Sequence, residues 1–313
     1  MRLKYIIISA VISLLIWSVL FLFVLKKELT VGLYKELFDL KTAHAEKSAS
    51  PRFFIIAGSN GFYSHDAETF EKMLGLPATN LSVAVMFPLD YLLERYRGLL
   101  KSGDVVYLPL EYVNYNGKHI NGSFGDVYDI TIEKNFSKLT LKRFCNCFGM
   151  FDIPYFIESV GENLLVAAGF KPLVTAGSLT PYGDIADNTR QAAENYRNFI
   201  NSIPPASVKF TCANSAIKKF LQYAADKNIT VIGGLPTTFD DTKIPPEVQH
   251  SIEKTFTGNG AFFITAPNRS LYPREDFFDT SYHLHRTGQI KHSGIIAGEM
   301  LKKYPELFPQ GRK

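Results

Sequence analysis

The sequence predicts an α/β protein: a three-layer sandwich with a parallel sheet flanked by helices, preceded by one transmembrane helix. Three observations support this prediction. An uncharged apolar run about as long as a membrane is thick stands near the N-terminus. Short apolar, β-branched runs then alternate with segments of helical period, which is typical of parallel sheets covered by helices. These runs lack polar alternation, as expected for strands buried on both faces.

The apolar run covers residues 5–24, YIIISAVISLLIWSVLFLFV, and as a helix it would span roughly 30 Å. It is longer than the apolar part of a signal peptide and lacks a small-residue cleavage site, so we expect residues 1–27 to form an uncleaved membrane anchor. Basic residues flank both ends of the run, so charge alone does not decide its orientation. We expect the short N-terminal tail to stay on the cytoplasmic side of the cell membrane, which would make residues 28–313 periplasmic or extracellular.

After the anchor, residues 28–50 start with helical spacing and end in small and polar residues, which predicts a juxtamembrane connector. Residues 51–313 are expected to form the α/β domain. Residues 112–186 interrupt its rhythm, because they are rich in Gly, Asn, Tyr and Phe and show no clean period. We interpret them as an insertion that forms a cap or a partner surface.

The periodicity assigns the elements of the α/β domain in order. The predicted strands cover residues 52–57, 79–85, 104–110, 229–233 and 261–265. The predicted helices cover residues 66–74, 89–100, 187–200, 213–227, 246–256 and 288–303.

Composition argues against several functions. The net charge is only +4, and the basic residues are scattered, so no nucleic-acid partner is expected. The three cysteines, Cys145, Cys147 and Cys212, lack the second Cys or His pair of a zinc site. We expect three unpaired thiols. The alternative is one disulfide from Cys212 to Cys145 or Cys147, if the domain lies in an oxidising compartment.

The stretch FFIIAGSNGFYSHD, residues 53–66, places Ser59 just past the first predicted strand. Functional groups of parallel sheets gather at the carboxyl ends of strands, so this position favours chemistry. Ser59 is either a nucleophile or a turn and cap residue. Gly58 and Gly61 are expected to leave room for a sharp turn and a closely approaching acyl group.

The stretch FFDTSYHLHRTGQIKHS, residues 277–293, supplies what a serine nucleophile needs. Asp279 precedes His283 by four residues, directly before a predicted helix. A serine requires a base that takes its proton, and the base requires an acid that orients it. His283 is the candidate base and Asp279 its partner, with Asp276 as the alternative acid.

Taken together, these motifs resemble the SGNH (GDSL-like) hydrolase superfamily. With the N-terminal anchor and the stretch GDVVYLPLEY, the chain is similar to a membrane-anchored branch that includes the D-alanyl transfer protein of teichoic-acid operons and the alginate and peptidoglycan O-acetylation proteins. The resemblance implies that Ser59 is the nucleophile, His283 the base and Asp279 its orienting acid. The spacing departs from the family, in which the acid commonly precedes the histidine by three residues (Asp-x-x-His), whereas Asp279 precedes His283 by four.

The resemblance also implies oxyanion donors, which in the family are a backbone glycine N–H and an asparagine side chain. Asn80 is the asparagine candidate here, with Ser82 close by, and Gly58 is a further candidate beside the nucleophile. The N–H of Val83 or Ala84 would stand in for the family's glycine. Glu111 follows the third predicted strand where other members carry a Gly-x-Asn block, and it is a candidate for lining the site.

Other histidines offer weaker candidates. His65 is a rival base, although local helix geometry is expected to point it to solvent. His285 and His292 are expected to be structural or exposed. The spacing of His283 and His285 suits no helical pair of metal ligands, so neither a metal nor another cofactor is expected.

The resemblance predicts a serine O-acyltransferase or carbohydrate esterase that acts on a cell-envelope or exported polysaccharide. One span cannot carry acyl groups across a bilayer, so a membrane-bound O-acyltransferase partner is expected. Four aromatic residues of the insertion are candidates for stacking on sugar rings: Tyr112, Tyr115, Phe124 and Tyr128. The alternative is a catalytically degenerate domain that binds polysaccharide or scaffolds a membrane complex.

Overall fold

The computed structural model describes residues 2–23, 25–115, 124–135, 137, 140, 141, 143, 147, 151–172, 174–186, 188 and 212–312. The chain divides into two compact units. The first, here called the N-terminal unit, comprises Met1–Leu37 and Asn121–Thr175. The second, the α/β unit, comprises Phe38–Ile120 and Ala176–Lys313.

The described helices and strands follow one another as the alternation predicts. In chain order the helices are α1 Arg2–Phe23, α2 Leu33–Glu46, α3 Ser59–Ser64, α4 Ala67–Leu74, α5 Leu89–Tyr96, α6 Phe124–Thr131, α7 Ile153–Ala167, α8 Cys212–Asp226, α9 Pro246–Thr257 and α10 Arg286–Lys303. The strands are β1 Phe53–Ile55, β2 Ala78–Asn80, β3 Val105–Leu108, β4 Thr230–Gly234, β5 Thr238–Phe239, β6 Phe262–Ile264 and β7 Leu271–Tyr272.

The α/β unit contains a five-stranded sheet in the order β2-β1-β3-β4-β6, and all its neighbouring strands are parallel. Phe53 of β1 lies opposite Ala78 of β2 on one side and Val105 of β3 on the other. The prediction of a parallel sheet flanked by helices is therefore confirmed. The chain leaves β1 for one neighbour and later returns to the other, so the strand order reverses between β1 and β3.

Alternate side chains of the strands face different helices, as the two-residue period of a strand requires. Phe53 and Tyr107 lie in an apolar cluster with residues of α4 and α10, and the Phe53 and Phe70 rings stack 4.9 Å apart. On the opposite face, Gly233 of β4 lies against the ring of Phe256 in α9: a Cβ on Gly233 would be 2.5 Å from it. Burial on both faces explains why the strands lack polar alternation.

The predicted elements are found with shifted ends. β2 ends at Asn80, whereas the prediction ran to residue 85. The short helix α3 was not predicted, since its Ser-Asn-Gly start is typical of a turn. The predicted helix over residues 187–200 lies outside the described residues, apart from residue 188.

The N-terminal unit joins the apolar helix to part of the predicted insertion. Within α1, residues Leu3–Leu20 have a mean hydropathy of 2.2, so this helix is long and apolar enough to cross a membrane. Trp17 and Leu25 pack in one apolar cluster with residues of α6 and α7. The boundaries therefore differ from the predicted ones, because the connector divides within α2 and residues 121–175 group with the anchor.

The cysteine prediction can be followed at one position. Cys147 is a free, buried thiol, as expected. Cys145 lies outside the described residues, and only the backbone of Cys212 is described.

Candidate active site

Ser59 is the first residue of α3 and follows the carboxyl end of β1. It therefore stands where the strand order reverses, which is where open parallel sheets bind their ligands. Its side chain is partly exposed, and in the described part of the chain its hydroxyl makes no hydrogen bond. The hydroxyl is thus available to a ligand, and Ser59 does not cap the helix that it begins.

Glu111 holds the turn that carries Ser59. Its buried carboxylate follows β3 and accepts hydrogen bonds from the N–H of Asn60 at 2.8 Å and the N–H of Gly58 at 3.2 Å. The amide of Asn114 donates to it as well, at 3.1 Å. Burial raises the pKa of Glu111, and these backbone donors and the charge of His283 oppose that rise. Glu111 thus braces the residues on both sides of Ser59.

His283 lies in a tight loop before α10. The N–H of Phe278 donates to the carbonyl of His283 at 2.7 Å, and Phe277 and Leu284 form an antiparallel bridge that closes the loop. Within it, Nδ1 of His283 lies 2.6 Å from Oδ1 of Asp279. The Asp279 side chain is 41% exposed, so water screens its charge.

The alternative acid, Asp276, makes different contacts. Its carboxylate oxygens lie 3.8 Å from Nε2 of His285 and 3.8 Å from Nζ of Lys291. Of the two acids weighed for His283, Asp279 is therefore the one that contacts its ring.

Several contacts join α3 to the His283 loop. The side-chain amide of Asn60 donates to the carbonyl of Tyr282 at 2.9 Å, and the hydroxyl of Ser64 donates to the same carbonyl at 2.7 Å. The ring of Tyr63 stacks on His283, with centroids 4.2 Å apart. Ser59 and Tyr63 are four residues apart and share one face of α3. That face of the helix is therefore the one at His283.

Asn60 and Tyr63 are residues of the candidate site that sequence reasoning missed. The sequence motifs assign no role to Asn60, whereas its side-chain amide also donates to Oγ1 of Thr237 at 2.7 Å. Tyr63 was not considered, although an aromatic residue one helical turn after a candidate nucleophile is a local signal that could have identified it.

Asn80 does not supply the predicted oxyanion donor. Its amide hydrogens are directed to the carbonyl of Gly61 at 2.8 Å and the carboxylate of Asp184 at 2.9 Å. Its carbonyl accepts from the N–H of Ser82 at 3.0 Å. The side chain is fully buried and every polar atom has a partner, so its role is to join β2 to α3.

Ser82 is likewise a structural residue. Its buried hydroxyl accepts from the N–H of Ala57 at 2.9 Å and lies 3.3 Å from the carbonyl of Ile55. A Cβ on Gly61 would collide with this hydroxyl. The space at Gly61 is therefore occupied by Ser82, and the predicted room for an acyl group is absent there.

Gly58 also differs from the prediction. Its N–H is bound by Glu111, and a Cβ on Gly58 would lie 2.5 Å from Oε1 of Glu111 and 2.7 Å from Cα of Val85. The missing side chain thus admits the Glu111 carboxylate and a passing backbone. Gly58 is needed for the geometry of the site, and it contributes no free oxyanion donor.

The prediction that His65 faces solvent is wrong. His65 is fully buried beside Tyr107 and His292. Burial lowers its pKa to about 3, although the nearby backbone carbonyls of Asn60 and Gly61 act to raise it. It is a neutral core residue at physiological pH.

His285 and His292, which were expected to be structural or exposed, both make hydrogen bonds within the fold. Nδ1 of His285 accepts from the N–H of Gly288 at 3.0 Å and so caps α10. His292 is buried, with Nδ1 2.8 Å from the hydroxyl of Tyr272. Burial lowers the pKa of His292 well below its ordinary value, and the neighbouring His65 adds to the effect.

Among the residues that the structure describes, no group of three or more His, Cys, Asp or Glu side chains could hold a metal ion. The insertion's aromatic residues lie in both units. Tyr112, Tyr115 and Tyr128 are buried, and Phe124 is half-buried. Burial leaves these three tyrosine rings no face for stacking on a sugar in this structure.

No model of a known protein family matches the chain, and no curated protein matches it either. The family resemblance drawn from the short motifs therefore stays a prediction.

Gly58→Ala tests whether the Glu111 brace is as closely packed as the distances imply. The added methyl would meet a buried carboxylate and a backbone atom, so we expect a loss of about 1–3 kcal/mol in unfolding free energy. Urea unfolding of the full chain in detergent measures it. Gly98→Ala is the matched control, because a Cβ there meets nothing within 4 Å. Equal stability of the two variants would contradict close packing at Gly58.

Proposed function

We propose that the protein is a membrane-anchored serine O-acyltransferase or carbohydrate esterase that works through an acyl-enzyme on Ser59. The observation that carries this proposal is the stacking of Tyr63 on His283. Through this stacking, the face of α3 that begins with Ser59 lies near a histidine whose Nδ1 contacts Asp279. A nucleophile, a base and an orienting acid are the three groups that such chemistry requires.

In the proposed mechanism, the Ser59 hydroxyl attacks the carbonyl carbon of an acyl ester or thioester, and its proton passes to Nε2 of His283. The bond between the acyl carbon and the leaving group breaks, and the leaving group takes that proton. Asp279 accepts from Nδ1–H and stabilises the imidazolium. Water or a sugar hydroxyl then attacks the acyl-serine, gives its proton to His283, and leaves with the acyl group while Ser59 regains a proton.

Among the donors first predicted for the oxyanion, the Asn80 amide and the N–H groups of Gly58 and Val83 already have acceptors in the fold. Because the N–H groups of Gly58 and Asn60 donate to Glu111, we assign the role to the N–H of Ser59 itself. This N–H belongs to the first turn of α3, where helix geometry provides no intrahelical acceptor. It lies beside the attacking oxygen, as oxyanion donors must.

Polysaccharide acceptance and the membrane partner follow from the resemblance and the anchor. An apolar N-terminal helix is compatible with a domain tethered at the cell surface, close to envelope or exported polysaccharide. We propose that the domain lies outside the cytoplasm and receives acyl groups from a membrane-bound O-acyltransferase. A single span offers no path of its own for acyl groups.

Covalent labelling tests the proposal directly. The full chain in detergent is incubated with an activated phenyl ester, and its peptides are analysed by mass spectrometry. We expect an acyl group on Ser59, lost in Ser59→Ala and retained in Ser251→Ala, which alters a half-buried helix serine. Adding an oligosaccharide acceptor separates a transferase, which acylates the sugar, from an esterase, which releases free acid.

One observation favours the second candidate function, a degenerate domain that binds polysaccharide or scaffolds a membrane complex. Within the described residues, the Ser59 hydroxyl makes no hydrogen bond to His283. Catalytic hydrogen bonds are often long before substrate binds, so this geometry is compatible with both functions. Absence of an acyl adduct, combined with binding of the oligosaccharide, would establish the second candidate and refute the first.

A further inference from the structure

The helix α7 exposes an apolar surface in the N-terminal unit. Ile153 is 76% exposed, Ile157 63% and Leu164 66%. Their spacing of four and seven residues puts them on one face of the helix. From Leu164 to Lys171 every residue is exposed, including Leu165, Val166 and Phe170. An apolar surface of this extent on a folded protein marks a site of contact with another apolar phase or partner.

The polar side of α7 is already bound to the segment that follows α1. The carboxylate of Glu162 accepts from the N–H of Leu29 at 2.8 Å and from the N–H and hydroxyl of Thr30 at 3.1 and 2.8 Å. Glu158 forms an ion pair with Lys27, whose Nζ lies 4.5 Å from the centre of the Tyr155 ring. The helix is thus fixed where the chain leaves the apolar run, with its apolar face turned away from these contacts.

The first turn of α7 also packs beside the end of α1. Tyr155 and Phe156 pack in the same apolar cluster as Trp17, which lies inside the Leu3–Leu20 stretch. No residue of that stretch is fully buried by protein. If lipid surrounds α1, the same lipid reaches the side chains of α7 that lie beside Trp17 and point outward, because they are at the same depth.

We propose that α7 is an interfacial helix whose exposed face, Ile153, Ile157 and Leu164, with the apolar end around Phe170, lies in the lipid bilayer next to α1. Interfacial helices bury an apolar face by roughly 5–10 Å while their polar face stays outside. Here the polar face is held by the connector and the apolar face meets the acyl chains. Part of the predicted insertion therefore serves as a second membrane contact of the chain. The inference rests on the membrane anchoring in the proposed function and is independent of the acyl chemistry.

Tryptophan quenching by brominated lipid tests this contact, because Trp17 is the chain's single tryptophan. The full chain is reconstituted in phosphatidylcholine–phosphatidylglycerol vesicles that carry bromine near the headgroup or near the chain end. Wild type reports on α1. In a Trp17→Phe background, Ile157→Trp and Leu164→Trp report on α7 at sites exposed enough to accept the larger ring. Free N-acetyltryptophanamide in the same vesicles gives the baseline for the aqueous phase.

We expect both α7 reporters to be quenched as strongly as Trp17, and more by bromine near the headgroup than near the chain end. Quenching of Trp17 alone would overturn the proposal for α7 and leave the anchor standing. Quenching of neither helix would refute the anchor too. Reporters shielded from both lipid bromine and aqueous acrylamide would show a protein contact on this face, and would equally overturn the lipid proposal. None of these outcomes depends on whether Ser59 is acylated.

Discussion

Replacement of Ser59 by alanine is expected to lower the rate of the proposed acyl transfer by about 10⁴-fold or more, as removal of the nucleophile does in serine hydrolases. The reason is that no other hydroxyl shares its position: within the described residues, the neighbouring Ser64 and Ser82 hydroxyls are buried in hydrogen bonds of the fold. Release of a chromophore from an activated phenyl ester measures the rate. Circular dichroism verifies that the variant is folded.

His283→Ala should reduce the rate about as far as Ser59→Ala, and the double variant should be no slower than either, because residues that act as one unit have non-additive effects. Asp279→Asn should cost less, since the Asp279 carboxylate is partly screened by water. Multiplying losses in the double variant would mean that Ser59 and His283 act in separate steps. An unchanged rate in Ser59→Ala would remove the serine from the mechanism.

Much of the fold was predictable because its signals are local. The strands around Phe53, Val105 and Ile232 are short apolar runs, and each meets a neighbour in register in the parallel sheet. Position in such a sheet also made Ser59 a candidate, since the end of β1 is a place where ligands bind. The Asp279–His283 contact was foreseeable as well, because both residues lie on one loop.

The roles of Asn80, Ser82 and Glu111 depended on partners that are distant in sequence. Asn80 was a reasonable oxyanion donor until its amide was found between Gly61 and Asp184. Glu111 stood where the family has another motif, and its function as a brace follows only from the N–H groups of Gly58 and Asn60. A buried side chain acts through whatever it contacts, and the one-dimensional pattern does not contain those contacts.

The same limit explains His65 and the insertion. His65 follows a helix of only six residues, which is too short for a periodic pattern to show which side is buried. Residues 121–175 group with the anchor through the apolar cluster around Leu25, which joins positions more than 100 residues apart. Local periodicity predicts elements and faces, while the identity of the packed partner is decided by the whole fold.

A buried ion pair at the amino ends of β1 and β3 is the basis of the second large prediction. Arg52 precedes β1 and Asp104 precedes β3, and their side chains join at 2.7 Å with almost no exposure to water. Asp104 also accepts from the N–H of Arg52 at 3.0 Å and of Lys101 at 2.8 Å. The guanidinium donates in addition to the carbonyls of Ala45 and Leu99, each at 2.8 Å.

Asp104→Ala is expected to lower the unfolding free energy by about 3–5 kcal/mol, because it leaves a buried guanidinium without its counter-charge and two N–H groups without an acceptor. Thermal and urea unfolding of the full chain in detergent measure the loss. Asp241→Ala is the matched control: it removes an ion pair with Arg274 of the same 2.7 Å length on the exposed surface, where the expected loss is below about 1 kcal/mol. Similar losses in both variants would contradict the role given to burial. Asp104 lies at the amino ends of the strands, whereas Ser59 lies at their carboxyl ends. Asp104→Ala should therefore retain the proposed acyl transfer per folded molecule, because it weakens the fold without touching the candidate site.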